Sequence, residues 1–172
     1  MFKLLTLKEV VRIPPRLFGK KVSEGALEIL REQYERTVSK RFGIIVSLHD
    51  ARITSKGKIV PGDGSVFCDV EFDALIYQPV VNEVTQGRVS EIVEFGAFVR
   101  LGPIDGLVHV SQVANDYFAY DKKTGNLTGK NSKKTVKKGE LLKAKIATVS
   151  MKDTIPNSKI ALTCRADALN KG

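Results

Sequence analysis

Apolar and polar positions alternate along much of this chain with the two-residue period of β-strands, and one segment changes to a helical period. Phe2 to Ile13 is rich in apolar and β-branched residues and stops at Pro14–Pro15, which cannot continue a ladder, so it reads as a strand. Val22, Ala26, Leu27, Leu30 and Tyr34 then recur at helical spacing with Glu and Arg between them. They predict an amphipathic helix over 22–35, weakened by Gly25. Phe42 to Ile53, dominated by G-I-I-V-S-L, predicts a strand buried on at least one face. In Val66 to Tyr77, Cys68, Val70, Phe72, Ala74 and Ile76 share one parity while Asp69, Glu71 and Asp73 take the other. That is a half-buried strand with an acidic outer face. Residues 1–80 therefore read strand–helix–strand–strand, a small α+β unit.

Thr54 to Ser65 interrupts this unit with three glycines and a proline in twelve residues, too many for a simple two-residue hairpin. Its Ile59–Val60 pair either folds back onto its own sheet or forms a tip that docks on a partner protein. A phosphate-binding glycine loop is excluded, because no helix follows to supply an N-terminal dipole.

Gln78 to Asn82 leads without a flexible linker into a second unit that is all-β by pattern. Strands are predicted at 85–93, 95–101, 104–110, 140–150 and 158–164, with turns at Gly96, Gly102–Pro103 and Pro156–Asn157. Five short strands with a long excursion between the third and fourth fit an OB barrel over 81–172. The excursion, 112–138, carries D-Y-F-A-Y-D at 116–121 and five lysines from Lys130 to Lys138. Segments of that length inside a compact domain are usually functional or disordered.

Charge sharpens the division between the halves. The chain carries 28 Lys and Arg against 19 Asp and Glu, a net charge of +9. Residues 1–80 contribute 13 basic and 10 acidic side chains, residues 81–172 contribute 15 and 9, so the attraction for polyanions concentrates in the second unit. Cys68 and Cys164 lack the paired spacing of a zinc site, and His49 and His109 are too few to replace the missing thiolates, so no metal is expected. Both cysteines fall in predicted strands and read as buried free thiols in a reducing cytoplasm. The N-terminus reaches Lys8 after four uncharged residues and resembles neither a signal peptide nor a spanning helix. No catalytic set or cofactor loop is legible. The expectation is a cytoplasmic protein without catalytic residues, cofactor or membrane partner.

The chemistry then narrows to Gly87 to Ser111. Phe95 and Phe98, three residues apart, would face opposite sides of a regular strand, but a bulge at Gly96 would bring both rings to one side. His109 shares a strand face with Leu107 and can stack on or hydrogen-bond a base. Exposed aromatics beside cations bind single strands by stacking bases and holding phosphates. Arg100, Lys143, Lys145 and Arg165 lie on predicted strands and are the candidate phosphate contacts, with Arg88 a further one. These residues point to single-stranded RNA.

G-R-V-S-E-I-V-E-F-G-A-F-V-R-L-G-P-I-D-G-L-V-H-V-S, with the later G-E-L-L-K-A-K-I-A-T-V-S and S-K-I-A-L-T-C-R, resembles the ribosomal S-one type of RNA-binding OB domain. The aromatic and histidine positions of that family match Phe95, Phe98 and His109. Over the whole chain, M-F-K-L, R-I-P-P-R-L-F-G, G-K-I-V-P-G-D-G-S and D-Y-F-A-Y-D make it similar to the E-prime family of archaeal RNA polymerase subunits, counterparts of the seventh subunit of RNA polymerase II. The resemblance implies a noncatalytic stalk subunit of a DNA-dependent RNA polymerase, with an N-terminal truncated RNP-like domain and a C-terminal S-one type OB barrel. It further implies a heterodimer with the F subunit of the polymerase. It implies docking at the polymerase clamp through Gly57, Lys58, Ile59, Val60, Pro61, Gly62, Asp63 and Gly64, and contact with nascent RNA. The alternative is a free-standing S-one domain factor in translation or RNA decay.

Overall fold

Period-two patterning in the first half becomes an antiparallel sheet in the order β1–β5–β3–β2. Its strands are Phe2–Ile13 (β1), Val38–Ser39 (β2), Gly43–Ile53 (β3) and Val66–Tyr77 (β5), and Lys58–Ile59 (β4) pairs with the start of β5. The computed structural model describes residues 1–169, which divide into two compact units: Phe2–Gln78, and the chain from Pro79 onward with Met1.

One face of the first sheet is apolar because the alternation in β5 is strict. Cys68, Val70, Phe72, Ala74 and Ile76 are all buried, and they meet Val11, Ile13, Ile45 and Leu48 beneath a single helix, α1 (Val22–Tyr34). Each large aliphatic side chain removed from water here contributes about 1.5–3 kcal/mol. The helix buries Gly25, Ala26 and Leu30, whereas Val22, the first residue of the predicted stripe, is 45% exposed. Polar contacts fix its far end. Arg31 donates from Nε and Nη2 to the Leu48 carbonyl at 3.1 and 3.0 Å, and the Leu48 N–H donates to Glu35 Oε1 at 2.9 Å. On the opposite face of the sheet, Lys8 pairs with Glu71, and Arg52 with Glu71 and Asp73, so the acidic parity of β5 is neutralised locally.

The second unit is a closed five-stranded barrel. Val84–Val93 (β6), Gly96–Arg100 (β7), Asp105–His109 (β8), Leu141–Ser150 (β12) and Lys159–Thr163 (β13) follow one another around it in the order β12–β13–β8–β7–β6. All pairs are antiparallel except β13 with β8. Val89, Ala97, Val99, Val108, Ala144, Ile146, Ile160 and Leu162 fill the interior with at most 2% exposure. Closure removes every free strand edge from the barrel.

The excursion is folded. Phe118–Asp121 (β9), Asn126–Gly129 (β10) and Thr135–Val136 (β11) form a three-stranded antiparallel meander over its own buried Phe118, Leu127 and Val136. Its short strands, rich in Thr, Asn and Gly, carry too little apolar alternation to announce themselves in the sequence. A one-turn helix, α2 (Ala166–Leu169), follows β13.

Candidate nucleic-acid interface and docking tip

Alternation along β7 sends Ala97 and Val99 into the barrel and leaves Phe98 and Arg100 outside. On β8, Gly106 and Val108 go inward while Leu107 and His109 stay out. The ladder sets Phe98 opposite Leu107 and Gly96 opposite His109. Phe98 and Leu107 thus form a half-buried cross-strand pair on the outer surface. Phe95 stands in the turn before β7 at 51% exposure, with its ring centroid 6.4 Å from that of Phe98 and the planes at 84°. An edge-to-face pair of this kind is favourable by about 0.5–1.5 kcal/mol and holds the outer ring in place.

The two rings converge for a different reason from the expected bulge. Pairing is regular through Gly96, which faces both Val93 and His109, and the register shift in this region lies at Ser90. The turn falls at Glu94–Phe95, so Phe95 is freed from strand parity altogether. Glycine at 96 serves close approach instead: a Cβ there would lie 2.3 Å from the Val108 carbonyl oxygen. With β8 drawn over β7 in this way, the Val110 N–H donates to the Phe95 carbonyl at 3.0 Å.

His109 is exposed, and its Nδ1 accepts from the Ser111 N–H at 3.3 Å and lies 2.9 Å from Ser111 Oγ. With Nδ1 engaged as an acceptor, the proton of the neutral ring resides on Nε2, which is then a donor for a base or a ribose. Phe95, Phe98, Leu107 and His109 together make an apolar, ring-bearing patch with one polar handle.

The basic residues separate into three situations. Arg100 is exposed, with Asp105 3.8 Å away, and sits opposite Arg88, which pairs across with Leu141; Lys143, next on the same face of β12, is exposed as well. Arg100, Arg88 and Lys143 therefore form a basic strip across β7, β6 and β12. Arg165 lies two residues past the end of β13 rather than on a strand, half-buried, with its Nε donating to Asn115 Oδ1 at 2.5 Å and 3.7 Å from Asp167. Lys145 corrects the sequence expectation most clearly. It pairs with Thr163 and Val84 at 6% exposure, so it does not belong to the open surface. Parity put it outside the barrel, but whether an outward residue meets water depends on what packs over it.

In the first unit, the 57–64 segment is tied to the sheet by its main chain. β4 pairs Lys58 with Phe67 and Ile59 with Val66, yet Ile59 is 72% and Val60 47% exposed. Gly57 enters the strand at φ +76, where a side chain would also press on Val66. The Asp63 N–H closes a turn onto the Val60 carbonyl at 3.0 Å. Asp63 then accepts two hydrogen bonds from Arg12 and one from the Ser65 N–H, and the Arg12 bonds above all hold its carboxyl down at about 2. The main chain of this segment folds back onto the sheet while its apolar side chains face water.

Comparison with known proteins accords with this division. Residues 8–64 match the SHS2 domain found in the N terminus of Rpb7p/Rpc25p/MJ0397, and residues 78–160 match the S1 RNA binding domain. The DNA-directed RNA polymerase subunit Rpo7 of Sulfolobus acidocaldarius is 41% identical over 172 residues, covering 99% of this chain and 93% of that one. This chain belongs to the Rpo7/Rpb7 family of RNA polymerase subunits. Rpo7 of Saccharolobus solfataricus is 41% identical over 99% of this chain and 95% of its own. The RNA polymerase II subunit rpb7 of Dictyostelium discoideum is 28% identical over 67% of each.

As a member of the Rpo7/Rpb7 family the chain is a non-catalytic subunit of a DNA-directed RNA polymerase, and the S1 match coincides with the barrel that carries Phe95, Phe98 and His109. Among the described residues no cluster of three or more His, Cys, Asp or Glu is placed to hold a metal, and no helix is long and apolar enough to cross a membrane. Cys68 is buried on β5. Cys164 is half-buried one residue past β13, and burial pushes its thiol up to about 11. Sequence reasoning missed one neighbour of the ring patch. Lys122, at the β9–β10 turn, lies 3.5 Å from Glu94 and brings the meander beside the Phe95 turn. Only the D-Y-F-A-Y-D segment hinted at it.

Proposed function

We propose that this member of the Rpo7/Rpb7 family receives nascent single-stranded RNA on its barrel and anchors to the polymerase core through its 57–64 tip. The observation that carries the RNA half is the Phe95–Phe98 ring pair beside His109, flanked by the basic strip of Arg88, Arg100 and Lys143. Rings of this kind stack bases without regard to sequence, and the strip tracks the phosphates. Arg165, tied to Asn115, contributes a further cation at the edge of the barrel.

The docking half is supported by Ile59 and Val60, two exposed aliphatic side chains on a segment whose backbone is already ordered. Docking onto an apolar recess near the clamp removes them from water with little ordering cost. Pairing with the polymerase's F subunit completes the stalk, a cytoplasmic assembly in which the chain positions RNA and performs no chemistry. Native affinity purification of the tagged chain tests the assignment: it should retain the F subunit and core polymerase. Recovery as a lone monomer would instead favour a free-standing RNA-binding factor.

A further inference from the structure

We propose that Tyr117, with Lys130, forms a second stacking site for single-stranded RNA on the β9–β11 meander. The inference rests on the RNA-binding reading of the barrel and lengthens the path that reading gives the strand.

Tyr117 is 66% exposed, the most exposed aromatic side chain among the described residues. Its ring lies under the Lys130 ammonium, 5.2 Å from Nζ to the centroid. A ring that carries a cation at one side and is otherwise open offers a nucleotide both a stacking surface and a phosphate contact. The mount beneath the ring is built from hydrogen bonds. Asp116 accepts from the Tyr117 N–H at 2.7 Å, the Asn131 N–H at 3.1 Å, and the Ser132 N–H and hydroxyl at 2.8 Å each. The Lys130 N–H donates to the Tyr117 carbonyl at 2.9 Å. Ring and cation are therefore held in register by main-chain bonds on both sides of the meander.

Charge and position give the ligand class. The five lysines from Lys130 to Lys138 are all exposed, and none forms an ion pair among the described residues. Lys122, paired with Glu94, sets the meander against the turn that carries Phe95. Tyr117 and Lys130 stand at the other end of the same hairpin from Lys122, so a strand running from the Phe95 turn along the meander reaches them as a second platform. A protein-docking role would call for apolar area, and the meander's large apolar side chains, Phe118, Leu127 and Val136, are buried.

The chain has no tryptophan, so Tyr117→Trp places a single reporter at the site. Full-length protein carrying it is titrated with a 12-nucleotide oligouridylate, and affinities are compared for Tyr117→Ala, Tyr117→Phe and the unaltered chain. The expected result is quenching of the introduced indole on binding, a loss of about fivefold or more for Tyr117→Ala, and retention for Tyr117→Phe. Unchanged affinity in Tyr117→Ala, with RNA still bound through the Phe95 face, overturns the second site and leaves the barrel reading intact. Loss of polymerase association in Tyr117→Ala with RNA affinity unchanged overturns it too, in favour of a protein contact. Failure of the unaltered chain to bind the oligonucleotide brings down both readings.

Discussion

Arg12 and Asp63 meet through two parallel hydrogen bonds, Nε to Oδ2 and Nη2 to Oδ1, each 2.9 Å long. Bidentate pairs fix orientation as well as distance. This one ties the glycine-rich 57–64 segment to β1, so the loop that presents Ile59 and Val60 is shaped before any partner arrives.

Removing either the apolar contact or its mount should weaken assembly by different amounts. Ile59→Asp is expected to reduce association with core polymerase by about tenfold or more, because burying an isoleucine contributes about 1.5–3 kcal/mol and a carboxylate adds a desolvation cost. Arg12→Met should weaken association less, by loosening the loop. RNA affinity should be unchanged in both, and unimpaired assembly of Ile59→Asp would remove the docking role. Co-purification with the core, alongside an RNA titration, reads both.

Two carboxylates give the fold a signature in acid. Asp63, chiefly through Arg12, and Asp116, chiefly through the Ser132 N–H, are each lowered to about 2 in the folded chain, against about 3.9 unfolded. A group depressed by folding stabilises the native state above its unfolded value and loses that contribution as pH falls through the folded one. Thermal stability should therefore fall between about pH 4 and pH 2. An Asp63→Asn, Asp116→Asn double variant should show a shallower decline, measured by circular dichroism melts across that window.

On the barrel, Phe95→Ala combined with His109→Ala should lower RNA affinity by roughly 1–3 kcal/mol for each base that loses its stacking partner. Lys143→Ala should reduce the slope of log affinity against log salt by about 0.7, the value for one lost contact to a single strand. Lys145→Ala, at a covered position, should leave that slope alone and lower the melting temperature instead. A slope change at Lys145 equal to that at Lys143 would return it to the RNA surface.

Gly96→Ala should destabilise the barrel by about 1–3 kcal/mol, the usual range for overpacking, since its Cβ would meet the Val108 carbonyl at 2.3 Å. Gly19→Ala, where nothing lies within 4 Å of the added carbon, is the neutral comparison. Denaturant midpoints of the two variants make the test. Equal midpoints would mean the β7–β8 approach is slack.

Periodicity alone gives the order of the long elements of the first unit, though not its two-residue strands β2 and β4, together with the five barrel strands and the parity of β5 that is buried. Alternation is a local property, carried by every second residue, and it survives whatever the rest of the chain does. It likewise set His109 on one strand face with Leu107. The remaining features depend on packing between distant parts of the chain. Phe95 joins Phe98 because a turn releases it from strand parity, and Lys145 leaves the surface because its outward face is covered. Asp116 orders a segment that includes Ser132, and Arg12 reaches Asp63, because folding brings together residues that the chain keeps far apart. Period and composition say nothing about such pairs, since a contact between distant residues depends on the closure of everything between them.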